Sequence, residues 1–106
     1  MTNDEFFARP EISRAIDEVA DRSFRQIEQE GGVGELPDGA TFLDGLEVDP
    51  AEAGTITLVH TVHAENEKPA RPVIPCNGGT GECIPRCKII NGEQHCVWMC
   101  RCPTEA

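Results

Sequence analysis

Apolar residues recur at steps of three and four between residues 10 and 30. Ile12, Ile16, Val19, Ala20, Phe24 and Ile27 form one stripe, the signature of an amphipathic helix. Pro10 suits the first helical turn, where its missing N–H has no partner to lose. Gly31-Gly32 supplies a stop, because glycine enters the left-handed C-cap conformation cheaply. Ahead of the helix, Thr2 and Glu5 are spaced to cap a short turn around residues 4–8. Phe6 and Phe7 are expected to fold back on the stripe or to face a partner.

From residue 33 the period changes. Leu36-Pro37-Asp38-Gly39 reads as a turn. Residues 41–48 and 55–62 are rich in β-branched and apolar residues, with a hairpin loop expected at 49–54. Thr55-Ile56-Thr57-Leu58-Val59-His60-Thr61-Val62 is the strongest strand signal in the front half. The front thus reads as one amphipathic helix plus a β-hairpin, a small α+β unit. Two strands are marginal on their own. Residues 64–75 contain three prolines and alternating charges, which favour an extended, exposed linker open to proteolysis.

The third segment changes the picture by chemistry. All six cysteines fall between Cys76 and Cys102, at Cys76, Cys83, Cys87, Cys96, Cys100 and Cys102. Three segments follow: an acidic recognition region at 1–63, a Pro-rich linker at 64–75 and a cysteine-rich tail at 76–106. Segments of the tail's size rarely hold one structure without disulfides, a metal or a partner. Inside it, Asn91-Gly92 lies between two strand-like runs, the preferred type I′ hairpin turn. Counting outward pairs Ile90 with Glu93, Ile89 with Gln94, Lys88 with His95 and Cys87 with Cys96. The last is a non-hydrogen-bonded pair, whose short Cα separation suits a disulfide. A Cys87–Cys96 cross-link is the specific expectation, among fifteen ways of pairing six cysteines.

Other uses of the thiols stay open. Cys83, Cys87, Cys96 and Cys100 with His95 would satisfy a tetrahedral zinc, although the chain lacks the chelating C-x2-C turn. His60 and His63 are three apart on a strand, so they point to opposite faces and read as ordinary strand-end residues. Lanthionine links need Ser or Thr, and the tail has no Ser and only Thr80 and Thr104. Thiol-to-α-carbon links need no hydroxyl and remain open. Val97-Trp98-Met99 reads either as an apolar patch for a membrane or receptor, or as the tail's own small core.

Charge divides at the same place. Residues 1–75 carry 16 Asp/Glu against 6 Lys/Arg, which accounts for the net charge of −10. Nucleic acid is not an expected partner, because counterion release needs clustered Lys/Arg. No Gly-rich phosphate loop and no Ser-His-Asp arrangement is visible, so neither enzyme chemistry nor a cofactor is expected. The N-terminus has no basic n-region and no apolar h-region. No stretch reaches the ~18–20 apolar residues of a membrane span. Six clustered cysteines nevertheless suit an oxidising compartment. Metal binding in the cytosol, enzymatic modification there, or dedicated export followed by oxidation would each reconcile the two.

Two resemblances extend this reading. An acidic front, a Pro-rich linker and a cysteine-rich end resemble a ribosomally synthesised, post-translationally modified peptide precursor. The front is similar to the nitrile-hydratase-like leader family, on Leu36-Pro37-Asp38-Gly39, residues 41–48, Asp49-Pro50 and Ile56 to Val59. Leaders of that family end at a small-residue, often double-glycine, cleavage site; the linker holds none. The resemblance implies a leader made in the cytoplasm that docks on a maturation enzyme or a peptidase-type exporter. Ile12, Ile16, Val19, Phe24, Ile27, Leu36, Ile56 and Leu58 are its candidate contacts, by helix stripe or by strand addition. It also implies a cross-linked, secreted, antimicrobial product. Separately, C-x3-C followed by C-x-C resembles the cysteine-stabilised αβ scaffold of defensins and scorpion-type toxins. That scaffold would place Cys83 and Cys87 on a helix and pair Cys76 with Cys96, Cys83 with Cys100, and Cys87 with Cys102. A toxin-like disulfide module with an acidic pro-region is therefore an alternative, and a cytosolic zinc-binding or redox protein is a third.

Overall fold

The computed structural model describes residues 3–30, 54–76 and 79–102. Two helices come first, α1 (Asn3–Phe7) and α2 (Pro10–Glu30). Five strands follow: β1 (Thr55–Ala64), β2 (Pro75–Cys76), β3 (Gly79–Thr80), β4 (Glu82–Ile90) and β5 (Glu93–Cys102). The architecture is small α+β: a helix on one face of a three-stranded antiparallel sheet in the order β1-β5-β4, with β2 and β3 as a separate short pair.

Helix α2 has the bounds that the apolar stripe predicts. Pro10 is its first residue, and Ile12, Ile16, Val19, Ala20, Phe24 and Ile27 are all buried. Ser23 is buried beside them and donates to the Val19 carbonyl at 2.8 Å, so its hydroxyl is satisfied within the helix. The stripe lies along β5 and its neighbours in two groups. Phe6, Ile12, Ala15, Ile16 and Val19 meet Met99, with Ile56, Leu58 and Ile84 packed alongside. Further along, Ala20, Phe24 and Ile27 meet Val97 and Ile90. Each fully buried Ile, Val, Phe or Met among them contributes about 1.5–3 kcal/mol. The ion pairs at the rim, Arg86–Asp17 at 2.7 Å and Lys88–Glu28 at 2.6 Å, are exposed and worth at most about 1 kcal/mol each. The apolar seam therefore holds the helix to the sheet, and the charges set its register.

The hairpin β4–β5 forms as the Asn-Gly signal requires. Asn91 and Gly92 both have positive φ, 51° and 79°, as a type I′ turn demands. Its register is the one counted from the turn, Ile90 with Glu93 outward to Cys87 with Cys96, and it continues to Glu82 with Arg101. Pro85 pairs with Trp98 on edge strand β4. It shares the parity of Cys87–Cys96, a non-hydrogen-bonded position, so its missing N–H points away from β5 and costs the ladder nothing.

Strand β1 forms where expected and runs two residues further. It pairs with β5 over ten positions, from Thr55 with Cys102 to Ala64 with Glu93. Among the described residues, the front region thus supplies one strand of a sheet whose other two strands belong to the tail. The expected hairpin partner of β1 at 41–48, and the turn containing Leu36, lie outside the described residues. Strands β1 and β4 are both antiparallel to β5, hence parallel to each other, and such strands need a crossover of about a dozen residues or more. Residues 65–81 provide it. The described residues of this segment pass over the face opposite α2, where Ile74 and Val59 pack against the cluster of Cys83, Cys96, Trp98 and Cys100. The last linker residues therefore belong to the packed structure.

Candidate functional site

Alternation along the strands sorts the tail's side chains into two faces. Val97, Met99 and Arg101 of β5 face α2, with Ile84, Arg86, Lys88 and Ile90 of β4. Cys96, Trp98 and Cys100 face the other way, with Cys83 and Cys87. Val97, Trp98 and Met99 are all buried, but they do not form one patch, because Trp98 points away from the other two.

The disulfide face carries the chemistry. Cys87 pairs with Cys96 and Cys83 with Cys100, at Cα separations of 4.1 and 4.0 Å. Both occupy non-hydrogen-bonded positions of one hairpin, and Trp98 lies between them. Cys76 pairs with Cys102, at a Cα separation of 5.6 Å, and ties the end of the linker to the end of β5. The defensin-like pattern is corrected by this pairing. Only Cys83–Cys100 agrees with it, and Cys83 and Cys87 lie on strand β4, not on a helix. The reason is the turn: Asn91-Gly92 commits residues 82–90 to extended pairing, which leaves no helical turn between these cysteines. A signal for the second bridge was present in the spacing. Cys83-x3-Cys87 and Cys96-x3-Cys100 are symmetric about Asn91-Gly92. The register that pairs Cys87 with Cys96 therefore also pairs Cys83 with Cys100, and only Cys76 and Cys102 remain.

The bridges also determine what the sulfurs can do. The proposed zinc donors Cys83, Cys87, Cys96 and Cys100 are engaged in disulfides on one face, while His95 points to the other. Among the described residues no group of three His, Cys, Asp or Glu is arranged to hold a metal. Trp98 donates from Nε1 to Thr61 Oγ1 at 2.7 Å. The Thr61 hydroxyl in turn lies 2.8 Å from His63 Nε2. Indole is a donor only, so Thr61 accepts from Trp98 and can donate to His63. Gly81 closes this end. Its N–H donates to the Ile74 carbonyl at 2.8 Å, and a Cβ there would lie 3.0 Å from the Arg101 carbonyl oxygen and 3.1 Å from Cys76 Sγ.

The helix face holds two polar groups that the sequence reading did not place. His60 and His63 do face opposite sides, but His60 is more than a strand-end residue. Its Nε2 lies 3.0 Å from Nδ1 of His95, with the rings stacked at 5.2 Å. Burial pushes the His60 pKa down, and the neighbouring His95 adds to the effect. His60 Nδ1 is buried with no partner among the described residues. Arg101 is fully buried. Its guanidinium lies 4.7 Å from the centre of the Phe6 ring and donates to Asn3 Oδ1 at 2.9 Å. Burial lowers its pKa. Phe6 thus folds back onto the stripe as expected, and Arg101 holds α1 against the end of the sheet.

Of the candidate leader contacts, Ile12, Ile16, Val19, Phe24 and Ile27 are buried against the sheet, and Ile56 and Leu58 are half-buried beside Met99. They are brought together within the chain itself. Among the described residues no helix is long and apolar enough to cross a membrane. Fold and bridges together define a small disulfide-stapled α+β protein. Comparison with protein families, with curated proteins and with solved structures finds no match for the chain.

Proposed function

We propose that this chain is the precursor of a cysteine-rich, cross-linked peptide, with residues 1–63 as its leader and the tail as its product. One observation carries the reading: all three disulfides lie between Cys76 and Cys102, and none joins the front to the tail. A single cut in the linker therefore divides the chain into a thiol-free acidic piece and an internally stapled one. The linker also narrows the place of the cut. Residues 65–68, 70 and 71 are exposed, whereas Pro72 and Ile74 are engaged with the tail. The Pro72 carbonyl lies 3.7 Å from Cys83 Sγ, and Ile74 packs against the cluster of Cys83, Cys96, Trp98 and Cys100. Cleavage at 65–71 leaves this cover on the tail.

In this reading the leader docks on a maturation enzyme or a peptidase-type exporter in the cytoplasm. The product acts outside the cell as an antimicrobial peptide. The similarity of the front to nitrile-hydratase-like leaders supports the docking role. The test is intact and tandem mass spectrometry of the chain from its native producer, before and after reduction. A fragment beginning within residues 65–72, lighter than its reduced form by two hydrogens per bridge, is the expected result. A full-length chain with six thiols would overturn the reading.

A second reading, a disulfide module with an acidic pro-region, is favoured by the pairing of β1 with β5. A strand laid along the tail is what a folding template would provide. The two readings separate on whether the reduced tail acquires its three bridges only with the front present.

A further inference from the structure

We infer that cutting the linker does not separate the two pieces: the front remains bound to the tail as a non-covalent partner and covers the face it would otherwise present. This rests on the precursor reading only for where the chain is cut. No covalent bond outside the linker joins the pieces, so everything that holds them is surface complementarity. That surface is extensive. β1 contributes a ten-position ladder to β5, the central strand. Helix α2 lays its buried stripe over Val97, Met99, Ile84 and Ile90. At the rim, Asp17 and Glu28 of α2 meet Arg86 and Lys88 of β4 at 2.7 and 2.6 Å.

The chemistry of the two sides is matched. The tail presents four apolar side chains with two cations, Arg86 and Lys88, between Ile84 and Ile90 on β4, and the helix presents an apolar stripe with Asp17 and Glu28 beside it to meet them. On its own, that tail face would leave Val97 and Met99, now 3% and 2% exposed, in water. β5 would also lose half of its backbone hydrogen bonds. Both losses favour rebinding of the front over any partner that fills only one of them. Proteolysis is thus separate from release. The front still covers this face after the cut, and stripping it away is a distinct step.

The test uses the full oxidised chain with a sequence-specific protease site inserted between Glu67 and Lys68, where the linker is exposed. After complete cleavage, size exclusion and native mass spectrometry at neutral pH are expected to show one two-chain species at roughly micromolar concentration. Two separately eluting fragments would overturn the inference and leave the precursor reading intact. Conversely, a full-length native product would sink the precursor reading without affecting this result. A second measurement addresses the face. Reversing both tail cations (R86E/K88E) is expected to weaken the cut complex roughly ten-fold at low salt. Reversing the helix carboxylates as well (D17R/E28K) is expected to restore it. Indifference to both changes would show that α2 is not seated on this face.

Discussion

At the residue scale, two positions carry consequences that composition alone does not reveal. Gly81 lies where the linker, the Cys76–Cys102 bridge and the Arg101 carbonyl converge. The nearest atom to an added methyl is a backbone oxygen at 3.0 Å, which cannot swing aside as a long side chain can. Gly81→Ala is expected to cost about 1–3 kcal/mol, the usual range for overpacking, read as a lower denaturant midpoint. An unchanged midpoint would mean the two segments part easily. The burial of His60, with His95 beside it, makes stability depend on pH. One proton fills the 3.0 Å gap between the rings; protonating both would set two N–H groups against each other. Around the pair, Lys88 is the β4 neighbour of His95, Glu28 of α2 is bonded to Lys88, and Glu93 lies next along the same face of β5. The folded His60 pKa is depressed below its ordinary 6.5, so the folded state binds fewer protons than the unfolded one. Its contribution is full above that value and is lost as pH falls through the folded pKa. Denaturation at about pH 7.5 and about pH 5 is expected to show a drop that His60→Leu makes shallower. An equally steep drop in the variant would assign the effect to other groups.

At the element scale, the local signals were legible and the long-range pairing was not. Helix α2 is bounded by Pro10 and its stripe, both visible in the sequence. The hairpin follows from Asn91-Gly92, and its register from counting. Strand β1 was visible as a strand, yet its partner was not. Period-two alternation says which residues share a face; it does not name the neighbour. The run at 41–48, which proximity suggested as a partner, lies outside the described residues, and nothing local pointed to β5 at the far end of the chain. One clue was present: the run Val97-Trp98-Met99 is apolar on both faces, as a central strand covered on both sides should be. The bridges allow a test at this scale. Cys87–Cys96 closes a span of 9 residues. With Cys83–Cys100 intact, Cys76–Cys102 closes a ring of similar size. Chain entropy assigns each about 2–3 kcal/mol. The difference must then come from the native state. Losing Cys76–Cys102 also loosens the segment bearing Ile74, which packs against the cluster that contains Trp98. The C76S/C102S variant is expected to be the less stable of the two and to show greater quenching of Trp98 fluorescence. C87S/C96S should leave that quenching unchanged. The reverse order would mean that the linker does not shield the indole.

At the scale of the whole molecule, the front and the tail divide the work of specifying one structure. The tail supplies the covalent links, but six cysteines admit fifteen pairings, and a two-stranded ribbon alone is marginal in water. The front supplies no cysteine, yet it fixes the environment in which the right pairs meet. β1 holds β5 straight over ten positions, and α2 selects which face of the hairpin turns inward. A one-residue slip of β5 would send Val97 and Met99 to the disulfide face and Trp98 under the helix. The apolar seam therefore penalises every wrong register before any bond forms. Reduced full-length chain is expected to reoxidise to one species with the Cys76–Cys102, Cys83–Cys100 and Cys87–Cys96 pairing. The isolated segment 72–106 is expected to give a mixture in which Cys87–Cys96 prevails, because that pair alone is set by the adjacent turn. Adding residues 1–64 as a separate chain should shift the mixture toward the native pairing. Mapping of bridges by mass spectrometry checks all three. If the isolated segment reaches the single native pairing unaided, the register is written in the hairpin alone. The front would then have no part in directing the oxidation.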